Sequence, residues 1–177
     1  MQKLLSMILA LAMILSLAAC GQKAEPVVYS ADDYIDQLYS GLADADLPVS
    51  KKNSPDPSSN TDPDIGDYVY RGYVLSDGVY AATYEDPEQT KLLRVHVMID
   101  LNLARRDYLS SGAFAVSRTI AYFDGDKADA IGERLHTSDI STAGKTDYAS
   151  QTGHYEYLVD TANNRIFLVF TLAQPES

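Results

Sequence analysis

The chain has 177 residues, with 14 Lys and Arg against 25 Asp and Glu and a formal net charge of −11. That balance excludes a reader of nucleic-acid phosphates, which needs clustered cationic side chains, and the length suits one domain with a sizeable core. One cysteine, Cys20, excludes a disulfide within the chain and a cysteine-built metal site, and 13 tyrosines with no tryptophan leave tyrosine as the main aromatic residue.

Met1-Gln2-Lys3 is followed by an uncharged run over residues 4–17 and then by Leu17-Ala18-Ala19-Cys20-Gly21. One Lys, a short apolar stretch and small residues before a cut point have the layout of a secretory signal, and the run is shorter than the roughly 20 residues of a spanning helix. The Leu-Ala-Ala-Cys pattern resembles the lipobox of bacterial lipoproteins. The resemblance covers this segment alone. It implies removal of residues 1–19 as a signal peptide, a diacylglyceryl group on the Cys20 thiol, and a protein held by that lipid at the extracytoplasmic face of the cell membrane. Two buried acyl chains give stable anchoring where one gives only marginal binding. Residues 1–19 carry one Lys and no acid, so their loss takes the charge from −11 to −12. A face this acidic disfavours direct docking on anionic lipid, and a lipidated Cys20 leaves no free thiol for catalysis.

Residues 20–29 read as a polar spacer, and a helix is predicted over 30–47. Ser30 is a suitable N-cap with Asp33 three residues on, and Tyr34, Ile35, Leu38, Tyr39 and Leu42 recur at helical spacing ahead of Pro48. Residues 48–66, with four prolines and little to bury, read as a disordered linker. From 67 to 177 the pattern is that of an α+β domain, expected to fold when the chain begins near Asp67.

In that domain, residues 68–76 and 79–85 flank Asp77-Gly78, a two-residue hairpin turn with positive φ at both centres. Counting across such a turn sets Leu75 opposite Tyr80 and Arg71 opposite Tyr84, which puts Tyr70 on the other face from Tyr80 and Tyr84. Residues 91–101 alternate, with Leu93, Val95, Val97, Ile99 and Leu101 on one face and Leu92, Arg94, His96, Met98 and Asp100 on the other. Leu109, Ala113, Val116, Ile120 and Phe123 mark a helix that ends at Asp124-Gly125, and Asp126 reads as the N-cap of another bearing Ile131 and Leu135. A loop over 138–152 precedes a second hairpin. There Tyr155, Tyr157 and Val159 share a face, Asn163-Asn164 lies in the turn, and Ile166, Leu168, Phe170 and Leu172 point inward. The order β-β-β-α-α-β-β predicts an antiparallel sheet of about five strands with helices on one face, preceded by the first helix and the linker.

Seven tyrosines fall on the predicted strands: Tyr68, Tyr70, Tyr73, Tyr80, Tyr84, Tyr155 and Tyr157. Their rings suit either stacking on a sugar or peptide, or packing beneath helices. His96, His136 and His154 fit no metal-ligand spacing. Ala143-Gly144-Lys145-Thr146 lacks the upstream glycine of a phosphate loop, and no nucleophile elbow occurs. Asp124, Asp126 and Asp129 depart from the EF-hand spacing and read as helix capping; Asp62 and Asp64 lie in the predicted linker and Asp67 at its end, where they read as solvated.

No motif calls for a cofactor. The site named by the sequence is therefore Cys20 as the lipid attachment point, with the membrane as its partner. Together these readings predict a tethered binding or interaction module for an unidentified protein or envelope ligand, with Tyr68, Tyr70, Tyr80 and Tyr84 as its first candidates. The alternatives are an envelope hydrolase with scattered catalytic groups, which requires a pocket with convergent carboxylates or a His-carboxylate pair, and an accessory subunit of an envelope assembly, which requires an exposed apolar patch.

Overall fold

The computed structural model describes residues 27–104 and 106–174. The predicted signal peptide, Cys20 and the spacer up to residue 26 lie outside the described residues. The elements run α1 (Ala31–Asp44), β1 (Ser58–Asp62), β2 (Gly66–Ser76), β3 (Val79–Glu85), β4 (Leu92–Asp100), α2 (Arg106–Asp124), a 3-10 turn (Gly125–Lys127), α3 (Ala128–Leu135), β5 (Gly144–Ala149), β6 (Gly153–Asp160) and β7 (Arg165–Leu172). The class is α+β, and all seven strands form one antiparallel sheet in the order β1-β2-β3-β4-β7-β6-β5. The chain lays down a helix and then a meander twice, and the last strands of the two meanders, β4 and β7, pair at the centre.

The sheet has seven strands rather than about five because both edge strands lack an apolar pattern. β1 lies inside the predicted linker, where Ser58-Ser59-Asn60-Thr61-Asp62 pairs with residues 66–70 of β2. The turn between them is an Asx turn in which Asp62 Oδ1 accepts from the N–H groups of Asp64, at 2.8 Å, and Ile65, at 3.3 Å. β5 likewise occupies part of the predicted 138–152 loop, with its side chains exposed or half-buried. An edge strand with two solvated faces is held by backbone hydrogen bonds, so alternation of apolar residues does not mark it.

Residues 48–57 carry no regular element but are tied to the sheet. The Ser50 N–H donates to Leu75 O at 2.7 Å, the side chain of Asn53 accepts from the Val74 N–H at 3.1 Å, and it donates to Gly72 O at 3.3 Å. The segment predicted to be a disordered linker thus continues β1 along the edge of β2.

Ser30 caps α1 as predicted, its Oγ accepting from the Asp33 N–H at 3.4 Å. The helix docks fully, burying Tyr34, Ile35, Leu38 and Leu42 against the sheet and α2. The Tyr34 hydroxyl and Thr119 Oγ1 share a buried hydrogen bond of 2.9 Å, and the Tyr39 hydroxyl donates to Val74 O at 2.8 Å. The folded unit therefore begins near Tyr29, not near Asp67. On α2 the inward face holds Ser111, Ala115, Val116, Thr119, Ile120 and Phe123, while Ala113 is exposed. Small and polar residues supply much of this face, which is rotated slightly from the predicted apolar stripe. Asp126 falls in the 3-10 turn and caps nothing; Lys127 precedes α3.

The β2–β3 turn has positive φ at Gly78 alone, and a bulge between Val74 and Ser76 pairs Val74 with Tyr80 and Tyr70 with Tyr84. One inserted residue exchanges the faces of the strand before it, so Tyr70 joins Tyr80 and Tyr84, contrary to the two-residue count. Gly78 cannot carry a side chain, because a Cβ there would lie 2.4 Å from the Ala104 backbone nitrogen.

Candidate functional site

The helices cover one face of the sheet, where Tyr73, Val95, Val97, Tyr155, Tyr157, Leu168 and Phe170 are buried. Among the described residues no helix covers the other face, onto which the β1–β2 turn reaches so that Asp62 and Asp64 meet Arg94. Register sets three rows across the middle of this face, since Cα partners in an antiparallel ladder point to the same side. The first row is Tyr70, Tyr84, Arg94, Thr171 and His154; the second is Gly72, Ala82, His96, Val169 and Glu156; the third is Val74, Tyr80, Met98, Phe167 and Leu158. The face divides chemically. Toward β5 and β6 it carries Lys145, Asp147, His154, Glu156 and Asp160, an ordinary solvated surface. Toward β2, β3 and β4 it is aromatic and aliphatic, where a one-sided sheet would ordinarily be polar.

The seven candidate tyrosines are thereby sorted. Tyr73, Tyr155 and Tyr157 are core residues under the helices, whereas Tyr68, Tyr70, Tyr80 and Tyr84 stand on the open face, exposed or half-buried. Tyr84 is the hub of this group. Its ring centroid lies 5.1 Å from that of Tyr68, 5.4 Å from Tyr70 in an edge-to-face arrangement, and 4.6 Å from His96. Such contacts contribute about 0.5–1.5 kcal/mol each beyond area burial and hold the rings against one another. Between the first and third rows runs a trough of about 350 Å³, with Gly72, Ala82 and His96 in its floor.

Burial pushes the Tyr84 hydroxyl up to about 12 and pushes His96 down to about 4, Arg94 adding to the latter effect. The Tyr84 hydroxyl and His96 Nδ1 share a hydrogen bond of 3.1 Å between two neutral groups. Arg94 is fully engaged: its guanidinium donates to Asp62 at 3.0 Å, Asp64 at 3.4 Å and Thr171 Oγ1 at 2.9 Å. Two residues of the acidic cluster Asp62, Asp64 and Asp67 are thus the counter-ions of a cation on the sheet, and the third, Asp67, accepts from Thr61 at 2.6 Å.

His96 makes the fold acid-sensitive. It is faced by Tyr84 from β3, Arg94 on its own strand, Asp62 from β1 and, farther off, Glu156 from β6. Its folded value of about 4 lies below the ordinary 6.5, so the unfolded chain binds the extra proton first and stability falls as pH drops from 6.5 toward 4. The difference corresponds to about 3 kcal/mol. Glu85, raised chiefly by burial, opposes this near the lower end of the window, while Asp62, Asp86, Asp100, Asp139 and Asp160, all lowered, act below it. Urea midpoints measured from pH 7 to 4 are expected to decline in the wild type and to decline much less in His96→Gln. Parallel curves for the two proteins would remove the effect from His96.

The other candidates take structural roles. Asp124 accepts from the Tyr155 hydroxyl at 2.7 Å, Ser150 Oγ at 2.9 Å and Thr152 Oγ1 at 3.2 Å, joining the end of α2 to the β5–β6 turn. His136 ends α3 in the left-handed region, and Lys145 pairs with Glu156 at 2.7 Å. His154 Nε2 lies 3.8 Å from Glu156 on the solvated half of the face, away from the trough. A larger recess of about 530 Å³ between α2 and α3 has Phe114 and Ile120 at its base and Arg118, Asp129 and Glu133 at its rim, but gathers no reactive set. Among the described residues no group of three His, Cys, Asp or Glu is placed to hold a metal, and no helix is long and apolar enough to cross a membrane.

Comparison with protein-family models, with curated proteins and with solved structures finds no match to this chain.

Proposed function

We propose that the protein is a lipid-anchored binding module of the extracytoplasmic membrane face, recognising its ligand with the open side of the sheet. The observation that carries this reading is the presence of Tyr68, Tyr70, Tyr80 and Tyr84 on a face that no helix covers, next to Val74 at 40 % exposure. Exposed apolar and aromatic surface of this kind costs solubility and marks an interaction site. The lipobox supports the anchor. Because residues 48–66 lie along β2, reach from the membrane comes from residues 20–29 alone, at most about 35 Å when fully extended. The domain works close to the bilayer.

Two measurements test this. Radioactive fatty acid is expected to label the wild-type chain and not Cys20→Ala, which should accumulate unprocessed or leave the membrane fraction; an unlabelled wild type that still sediments with membranes would remove the anchor. A photo-cross-linker at position 70 in intact cells is expected to capture a neighbour that the same group at the exposed position 129 on α3 does not. Equal capture from both positions would remove the face from the recognition role.

A further inference from the structure

The open face narrows the class of ligand, and this step rests on the binding-module reading. We propose that the trough across β2, β3 and β4 binds an uncharged glycan, with sugar rings stacked on Tyr70 and Tyr80 and their hydroxyls hydrogen-bonded to Tyr84 and His96.

Shape comes from the register. The floor is low because Gly72 and Ala82 are partners on adjacent strands, and the walls are high because tyrosines stand on either side, Tyr70 with Tyr84 in one row and Tyr80 in the other. Gly72 leaves room for a neighbouring ring: a Cβ at that position would lie 2.7 Å from the Tyr70 hydroxyl, so the Tyr70 ring leans along its own strand over the glycine and forms a lip that a larger residue would displace. Crossing from β2 to β7 covers three strand spacings of about 4.8 Å, or about 14 Å, which suits a short oligosaccharide better than a single sugar.

Charge then selects. Arg94 is occupied by Asp62 and Asp64, and Glu156, farther along the floor row, is paired with Lys145. The polar groups left in the trough are hydroxyls and one imidazole, held neutral at physiological pH by burial. They can donate and accept hydrogen bonds but offer no counter-ion, which disfavours phosphate, carboxylate and ammonium ligands. A sugar ring matches what remains, having an apolar C–H face for the tyrosine rings and hydroxyls at its rim. An extended peptide fits less well. The trough runs across the strands, and the strand N–H and C=O groups beneath it are used in the ladder, so main-chain pairing is closed to a peptide lying there.

The test uses the lipidated full chain in neutral detergent, titrated with three uncharged hexasaccharides, of β-1,4-glucose, β-1,4-N-acetylglucosamine and α-1,4-glucose. A polygalacturonate oligomer serves as the anionic comparison and a proline-rich peptide as the protein-like one. The expected result is saturable binding of at least one neutral hexasaccharide, with perturbation of tyrosine ring signals. Tyr80→Ser should weaken it by about tenfold, the loss of one stacking wall. Gly72→Ala, which pushes the Tyr70 lip aside, should also weaken it; unchanged melting of both variants checks their folding. Binding of no neutral hexasaccharide, preference for the anionic oligomer or the peptide, or binding undiminished in both variants overturns the glycan assignment. Capture at position 70 in cells together with failure of every hexasaccharide sinks the glycan and leaves the binding module standing, whereas failure of both sinks both.

Discussion

Val97→Asp is expected to abolish cooperative folding. Val97 is at the middle of β4, paired with Ala81 on one side and Leu168 on the other, and all three are buried on the helix-covered face. β4 and β7 are where the two meanders join, so a defect there separates the halves of the sheet. No cation on that face lies opposite Val97 in the register to receive a carboxylate, and the substitution also removes an apolar side chain from full burial. An unpaired charge or neutralised acid at such a site costs on the order of 5 kcal/mol, comparable with the roughly 5–15 kcal/mol by which domains are stable. Thermal melting by circular dichroism should show no sigmoidal transition for Val97→Asp, while Ser59→Asn on the exposed edge strand should stay within about 0.5 kcal/mol of wild type. A cooperative Val97→Asp melt near the wild-type temperature would mean that the centre of the sheet is not where the core is concentrated.

The difference between these two positions shows what the amino-acid pattern could reveal. Alternation at Val95, Val97 and Ile99, and at Ile166, Leu168 and Phe170, marks strands that bury one face, so the central strands and the α+β class were legible. β1 and β5 bury neither face, and their only sequence marks are the turns beside them. The faces of the tyrosines depended on a single bulged residue. Nothing in Val74-Leu75-Ser76 announces it, yet it moves Tyr70 into the row of Tyr84 and so completes one wall of the trough. His96 was visible as an outward residue of β4, but its neutrality follows from long-range packing with Tyr84 and Arg94, which no local pattern encodes. Asp62 and Asp64 were legible only as an acidic cluster, because their partner Arg94 is some thirty residues away in the chain.

A chain that begins at Asp67 is expected not to fold, although its own pattern reads as a complete domain. It would lack α1, whose Tyr34, Ile35, Leu38 and Leu42 each have at most 1 % of their surface exposed. Full burial of a large apolar side chain contributes about 1.5–3 kcal/mol, so these four account for about 6–12 kcal/mol, as much as a whole domain's typical margin. The truncation would also bare the matching surface on α2 and the sheet, leave Thr119 without the Tyr34 hydroxyl, and strip from β2 the backbone pairing of β1 and the bonds from Ser50 and Asn53. Early placement of α1 ahead of its meander follows the same helix-then-strands order as the second half, in which α2 and α3 precede β5, β6 and β7. Each half supplies helical cover for a sheet that it shares with the other. Hydrogen exchange on residues 67–177 alone should therefore show β3 and β4 largely unprotected, and addition in trans of a peptide covering residues 29–66 should restore part of the protection. A cooperative melt of the truncated chain close to that of the longer one would mean that α1 is an ornament on a domain able to close without it.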